Sequence, residues 1–487
     1  MKRFIFIVCL MSMITCPSRG VAQNFFVDVN CDGEVNIADI NAVIDFILRG
    51  ETSNLIDMSK SYLSARDFGA VGDGVTDDTD ALENLFETAY MLKKAVFFDA
   101  GTYLIRRSLT LRTGMEVYGD GAVITKKSAV TTKLMAEALK DQTFVDVLNT
   151  EGFNVGDQFV IADDAGANWC TYGIITAIDG NRIFFTNIIS DHQSAFPGCV
   201  RAYPVGLKVS TSFALLRSWT ARFDCDGVSI HDLTLDGNRN SVEPRVWANS
   251  CIHLDSYYKG GYTGNSGIEY RTVQRNLKAH DLIIKNSPCD AISDQGEGGL
   301  FVSDCVIENS AMHGIHMGTV FSGAVISNNK MTGNGDIGSG VFFCQDVTNV
   351  VIDKNQISSF NHGCSDEEFG NTGKFITVRN NLFRDIKGSV FDFLKSTSAR
   401  RGGGLQVCNN MIEGLNAPMF DGAYLDNVVI SDNAVKSSPE FSEVIVKIVN
   451  SNNVIISGNS VPGVASGSHC VDSNSTSNLI DNLNSWN

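Results

Sequence analysis

The chain has 487 residues, a formal net charge of −17 and a pI near 4.9. That balance excludes a net-basic nucleic-acid face and obliges any polyanionic ligand to find a local basic patch or a bridging cation. With 45 Gly, only 8 Pro and recurrent Asn, Val and Ile, the composition is one of short strands and tight turns, not helical bundles.

The first 22 residues read as an export signal. Lys2 and Arg3 precede the apolar run FIFIVCLMSMIT, and Gly20, Val21 and Ala22 offer a small-residue cleavage site. The run is too short to span a membrane, and no other stretch is long and apolar enough. The expectation is an exported protein, periplasmic, surface-bound or extracellular, without a transmembrane segment. Cleavage would remove Cys9 and Cys16 of the 13 cysteines and leave eleven, scattered without CxxC pairs. Several take apolar positions of the repeats below and read as buried free thiols.

DVNCDGEVNIAD, Asp28 to Asp39, fits an EF-hand-type loop position by position. Asp28, Asn30 and Asp32 hold positions 1, 3 and 5, and Gly33 makes the sharp turn. Glu34 offers its carbonyl at 7, Asn36 sits at 9 and Asp39 closes the set at 12. An apolar stripe of Ile40, Val43, Ile44, Ile47 and Leu48 follows and ends at Gly50. Asp at position 12 before a Leu/Ile-rich helix resembles a single type I dockerin repeat. The residues imply bound Ca²⁺, and the resemblance implies a cohesin-like partner, although dockerins carry two repeats and one is found here.

After a linker at 51–61 comes ARDFGAVGDGVTDDTDALENLF. Gly69, Gly72 and Gly74 loosen the backbone, and Asp77, Asp78 and Thr79 are expected to supply oxygens to a helix N-terminus. Leu82, Leu85, Phe86, Ala89 and Leu92 give that helix its buried face. Two strand-like runs, AVFFDAGTYLI and SLTLRTGMEVYGDG, follow. The segment, about 62–130, resembles the N-terminal cap of the pectate lyase and polygalacturonase superfamily, also found on phage tailspike depolymerases. Residues about 141–206 read as a small antiparallel β insertion.

Beyond the cap, an I-x-x-N-x-I ruler falls at Leu233, Leu282, Cys305, Asn329, Asn355, Asn381, Asn410, Asn433 and Asn459. Short β-rich units repeated at this spacing build a solenoid whose stacked Asn side chains can bond along a ladder. The expected fold class is all-β, a right-handed parallel β-helix over 62–487.

Residues 239–278 interrupt the repeat as a basic, aromatic island on an acidic chain. Arg239, Arg245, Lys259, Arg271, Arg275 and Lys278 face Glu243, Asp255 and Glu269 in number, and Trp247, His253, Tyr257, Tyr258, Tyr262 and Tyr270 accompany them. Aromatic faces suit sugar rings and Arg forks suit carboxylates. Arg245, Trp247, His253, Tyr257, Tyr258, Lys259 and Arg275 are the candidate substrate contacts here. Arg271 and Tyr270 are candidates for the chemistry itself. The plain alternative is a solvated loop whose aromatics pack on the wall.

Asp290 stands eight residues past Leu282, and His313 eight past Cys305. Equal offsets on stacked coils become neighbours about 5 Å apart. His316 shares His313's strand and should align with Ser293 one coil before. A carboxylate beside an imidazole orients it and tunes its pKa, as a general base or acid requires. CDAIS and MHGIHMG also resemble the Asp-Asp and Gly-His-Gly motifs of polygalacturonase-type glycoside hydrolases, with Asp290 and His313 in the matching places. Cys289 and Met312 replace the first Asp and first Gly, and no Asn-Thr-Asp precedes them.

Three readings follow. A polysaccharide lyase acting on pectin or glycosaminoglycan would take a uronic acid's C5 proton with His313 or His316. Arg271, Arg275 or Lys259 would neutralise the carboxylate, with a tyrosine assisting. Resemblance to the β-helix lyases implies that class of acidic polysaccharide, and CSDEEFG (Asp366, Glu367, Glu368) is a candidate loop for a catalytic Ca²⁺. A glycoside hydrolase would use Asp290 with Asp294 or Asp336. A non-catalytic glycan-binding β-helix is the third.

Overall fold

In the computed structural model, the residues described are 59–162, 170–188, 198–199, 201–218, 224–254, 273–318, 321–335, 337–344, 347–366, 374–394, 396–399, 401–436, 444–463, 471–482 and 484–485. The export signal, the calcium loop Asp28–Asp39 and most of the 51–61 linker lie outside them.

The chain winds into an all-β, right-handed parallel solenoid of about 13 turns. Each regular coil contributes three short strands separated by bends. One face of the coil runs through Lys278–His280, Gly298–Ser303, Ser322–Ser327, Thr348–Asp353, Lys374–Arg379, Gly402–Cys408 and Leu425–Ser431. A second face runs through Ile283–Lys285, Val306–Glu308, Lys330–Thr332, Gln356–Ser358, Leu382–Ile386 and Met411–Leu415. An 11-stranded parallel sheet makes the third.

Alternation along each strand sends one side chain inward and the next outward. Val302, Ile326, Ile352, Val378, Val407, Ile430 and Ile456 therefore stack in one register file, all fully buried. Each such side chain contributes about 1.5–3 kcal/mol of burial. The cost of a solenoid is its bends, where backbone groups leave the ladder. Between the first and second faces, Asp304, Asn328, Lys354, Asn380, Asn409 and Asp432 adopt left-handed φ of 55–59°. Asn and Asp tolerate that region better than other non-glycine residues.

The next residue of each bend forms the ladder. The backbone N–H of Asn329 donates to Asn355 Oδ1 at 3.0 Å, and Asn329 Nδ2 donates to the same oxygen at 2.9 Å and to the Val302 carbonyl at 3.0 Å. The pattern repeats from Asn355 to Asn381, Asn410, Asn433, Asn459 and on to Asn484. Every ruler position from Leu282 to Asn433 aligns with its neighbour on the next coil.

Helix α1 (Thr79–Leu92) packs Leu82, Leu85, Phe86 and Ala89 beside the first strands, while Leu92, past the last packed turn, is exposed. Its start differs from expectation. Asp77 Oδ1 accepts the Thr79 N–H at 3.1 Å, but the Asp78 carboxylate turns back to the N–H groups of Val71 and Gly72.

A six-stranded antiparallel sheet, from Thr131–Lys133 to Lys208–Ser210, is inserted between coils. Phe159, Ile161, Ile175, Ile183 and Phe185 fill one side. Val160, Ala162 and Tyr172 on the other side pack on Val246 and Ala248, and Tyr172 lies 4.6 Å under the buried Arg217 guanidinium. The insertion thus covers the third sheet near Arg217 and leaves later coils open. The nine described cysteines are all free, six of them buried. Among the described residues, no helix is long and apolar enough to cross a membrane.

Candidate functional site

The third sheet carries the site. Ile292–Asp294, Ile315–Met317, Ser339–Phe343 and His362–Asp366 lie side by side in parallel register. Ile315 and Met317 are fully buried, so the residue between them, His316, faces outward with Ser293 before it and Phe342 after it. The outward file continues through Ser365, Asp392, Asp421 and Lys447. Three residues upstream of that file stand Asp290, His313, Ser339 and His362 on successive coils.

The expected convergence of Asp290, His313 and His316 is present in the geometry. Asp290 Oδ2 lies 2.9 Å from His316 Nδ1, and Asp290 Oδ1 accepts the His313 backbone N–H at 3.1 Å. Burial by itself would raise the Asp290 carboxyl, but the neighbouring His316 and His313 hold it below its usual range. A carboxylate can only accept, so His316 carries a proton on Nδ1. In the neutral ring the lone pair is then on Nε2, which is buried and has no hydrogen-bond partner among the described residues. An oriented imidazole with an unused basic nitrogen is what a general base requires.

His313 has the opposite tautomer. Its Nδ1 accepts the Ser339 backbone N–H at 3.0 Å, so its proton sits on Nε2. Burial pushes its pKa down to about 4, keeping the ring neutral near pH 7. The ring stacks on Phe342 at 4.0 Å and 15°, and meets His316 edge-on at 5.5 Å. Beyond it opens a pocket of about 210 Å³ that also touches His362, Ser365, Asp366 and Asp392.

Equal-offset reasoning missed His362 and Asp392. Ser339 stands ten residues past Asn329 and His362 seven past Asn355, because the intervening bend changes length while the strands stay in register. The third-sheet register locates His362, whereas Asp392, eleven past Asn381, keeps the offset of His316 from Cys305.

The other sequence candidates separate. Asp294 is in register with Leu254 and Met317, both fully buried, and is itself fully buried with Oδ1 on the Gly296 N–H at 2.9 Å. It does not line the open face, because alternation turns it away from His316. His253 is also fully buried, between Arg217 and Ser293 in register, where the coil before is covered. Arg275 is bound to Asp226, with Nε and Nη2 both 3.0 Å from Oδ2, so its fork is engaged. Arg245 is half-buried, and its charge reaches the buried Cys289 thiol, 3.7 Å from Asp290 Oδ1. The backbone of Trp247 opens a short 3₁₀ turn, Trp247–Asn249, while its side chain lies outside the described residues. Tyr257, Tyr258, Lys259, Tyr270, Arg271, Asp336, Glu367 and Glu368 lie outside them too. Among the described residues, no group of three or more His, Cys, Asp or Glu is arranged to hold a metal ion.

Comparison with known proteins agrees with the architecture. The family model described as Rhamnogalacturonase A/epimerase, pectate lyase-like matches residues 62–168, and the right handed beta helix region matches 266–417. Mannuronan C5-epimerase AlgE1 of Azotobacter vinelandii is 24% identical over 296 residues, covering 56% of this chain and 16% of that protein. A glucan 1,3-beta-glucosidase of Cochliobolus carbonum is 37% identical over 62 residues, 13% of this chain and 8% of the other. The chain spans only 5% to 22% of the length of these and similar curated relatives. The A-module of the A. vinelandii mannuronan C-5 epimerase AlgE4 superimposes with a TM-score of 0.52 at 16% identity, covering 87% of this chain and 95% of that one. Together these support the pectate-lyase-like, right-handed β-helix superfamily, the structural match speaking for the fold alone.

Proposed function

We propose that the protein is a carbohydrate-active enzyme of the β-helix type that acts on uronic-acid-containing polysaccharide, and that it works as a lyase. The observation that carries this reading is the Asp290–His316 pair, whose Nε2 has no partner among the described residues. His316 Nε2 takes the proton from C5 of a uronic acid. The electron pair moves to form the C4–C5 double bond, and the C4–O bond to the next sugar breaks. The leaving oxygen takes a proton from a donor, for which the Tyr270 hydroxyl is suited. Negative charge on the uronate carboxylate is offset by Arg245, Arg271 or Lys259. Export, Ca²⁺ in the Asp28–Asp39 loop and docking to a cohesin-like partner belong to the same proposal.

A second reading shares the first step. The likeness to mannuronan C5-epimerases over 296 residues favours return of the proton to the opposite face of C5, without chain cleavage. Incubation with uronate polymers in D₂O separates the outcomes. Ultraviolet absorbance of an unsaturated end group marks the lyase, whereas deuterium at C5 in chains of unchanged length marks the epimerase. New reducing ends without unsaturation would replace both with hydrolysis. Binding without any of these changes would leave a glycan-binding β-helix.

A further inference from the structure

We propose that the pocket beside His313 is a subsite for an uncharged sugar, so that the uronic acid presented to His316 is joined to a non-acidic residue. The proposal rests on the function inferred above for His316.

At about 210 Å³ the pocket is smaller than the roughly 300–1,000 Å³ of sites for drug-sized ligands, and it suits a single ring. It lies one coil beyond His316, because Phe342 follows His316 in register and adjacent strands are about 4.8 Å apart. Phe342 supplies an apolar surface and His313 an N–H donor that carries no charge. Asp392 supplies a carboxyl group, with Oδ2 3.5 Å from His362 Nδ1, Asp366 also lines the pocket, and no Lys or Arg does so among the described residues. Both nitrogens of His362 are already engaged, Nδ1 at 2.9 Å from the Ser389 carbonyl and Nε2 at 2.8 Å from Asn361 Nδ2. The acidic file continues one coil on at Asp421, where Oδ1 is buried without a partner among the described residues and Oδ2 is 3.5 Å from Lys447 Nζ.

Sugar hydroxyls donate, and carboxylates accept, so hydroxyl-rich rings complement this lining. A second uronate would bring another negative charge against the Asp392 carboxyl group in a partly desolvated space. A polymer of uronic acid alone is therefore the poorer fit. One in which uronic acid alternates with an uncharged sugar is the better one.

The test uses the full chain carrying His316→Ala, so that binding is read without turnover and with no divalent cation added. Calorimetric titration compares a tetragalacturonate with an unsulfated tetrasaccharide alternating glucuronate and N-acetylglucosamine. The alternating probe is expected to bind at least about tenfold more tightly, since like-charge contacts penalise the other. Adding Asp392→Asn should narrow the gap by strengthening tetragalacturonate binding. Equal affinities, the reverse preference, no binding of either probe, or a gap unmoved by Asp392→Asn would overturn the subsite. Clear discrimination in this variant, together with a wild-type protein inert on every uronate polymer, would instead overturn only the proton-abstraction reading.

Discussion

His316 Nδ1 and Asp290 Oδ2, 26 residues apart in the chain, meet at 2.9 Å across one turn of the solenoid. The contact exists because the bend residue of one coil lies beside the outward strand residue of the next. It leaves the second imidazole nitrogen without a partner among the described residues. Replacing His316 by Ala should lower kcat by about 10²–10⁴-fold on a uronate polymer that the wild type turns over. Asp290→Asn should cost a comparable factor by releasing the ring. Turnover close to wild type in both, with intact thermal unfolding, would remove this pair from the chemistry.

Two buried groups give opposite pH dependences. Burial pushes His313 down to about 4 from 6.5 and pushes Asp294 up to about 7 from 3.8. Between those pH limits the unfolded chain binds the extra proton at His313, so its contribution to stability falls as pH drops from about 6.5 to 4. At Asp294 the folded chain holds the extra proton, so its contribution rises as pH drops from about 7 to 3.8. Asp290, held low, titrates below this window. Urea unfolding from pH 7 to 4.5 should show His313→Gln becoming more stable toward acid relative to wild type, and Asp294→Asn less stable. Each difference should approach about 1.4 kcal/mol per pH unit. Parallel profiles for all three proteins would show that neither group is shifted.

The Asn ladder predicts a local weakness of known size. Asn381 accepts from the N–H and side-chain amide of Asn355 and donates to Asn410 Oδ1 and the Ile352 carbonyl. Asn381→Ala leaves several of these buried groups unpaired, and each such group costs about 1–3 kcal/mol. A loss of roughly 3 kcal/mol in denaturant unfolding is expected. Asn452→Ala serves as the control, because the bond its side chain accepts from Asn478 is exposed and its backbone is not left-handed.

Lys126 Nζ and Glu243 Oε1 form an ion pair at 2.7 Å with both side chains fully buried. Glu243→Ala strands the Lys126 charge and should cost about 3–5 kcal/mol, whereas the double change Lys126→Met, Glu243→Leu should recover most of it. Failure of the double variant to recover would assign the loss to Asn240, which donates its backbone N–H to Glu243 Oε2, and to the packing of that loop.

The solenoid and its ladder were legible in the sequence because a repeat must satisfy the same inward positions and the same bend on every coil. Asn329 through Asn459 therefore recur at a fixed place, three residues after a β-branched one. Asp290, His313 and His316 were legible for the same reason: two coils of equal bend length preserve the offset from the ruler. The reading failed where that condition lapsed. His362 follows a bend of another length, so only strand register brings it to the pocket. Asp294 and His253 have the residue types of a site, yet side-chain alternation and the covering insertion decide that they face no open surface. Residue identity in this chain determined which chemistry was available. Tertiary structure alone decided which atoms remained without partners, because burial and hydrogen-bond satisfaction depend on neighbours far away along the chain.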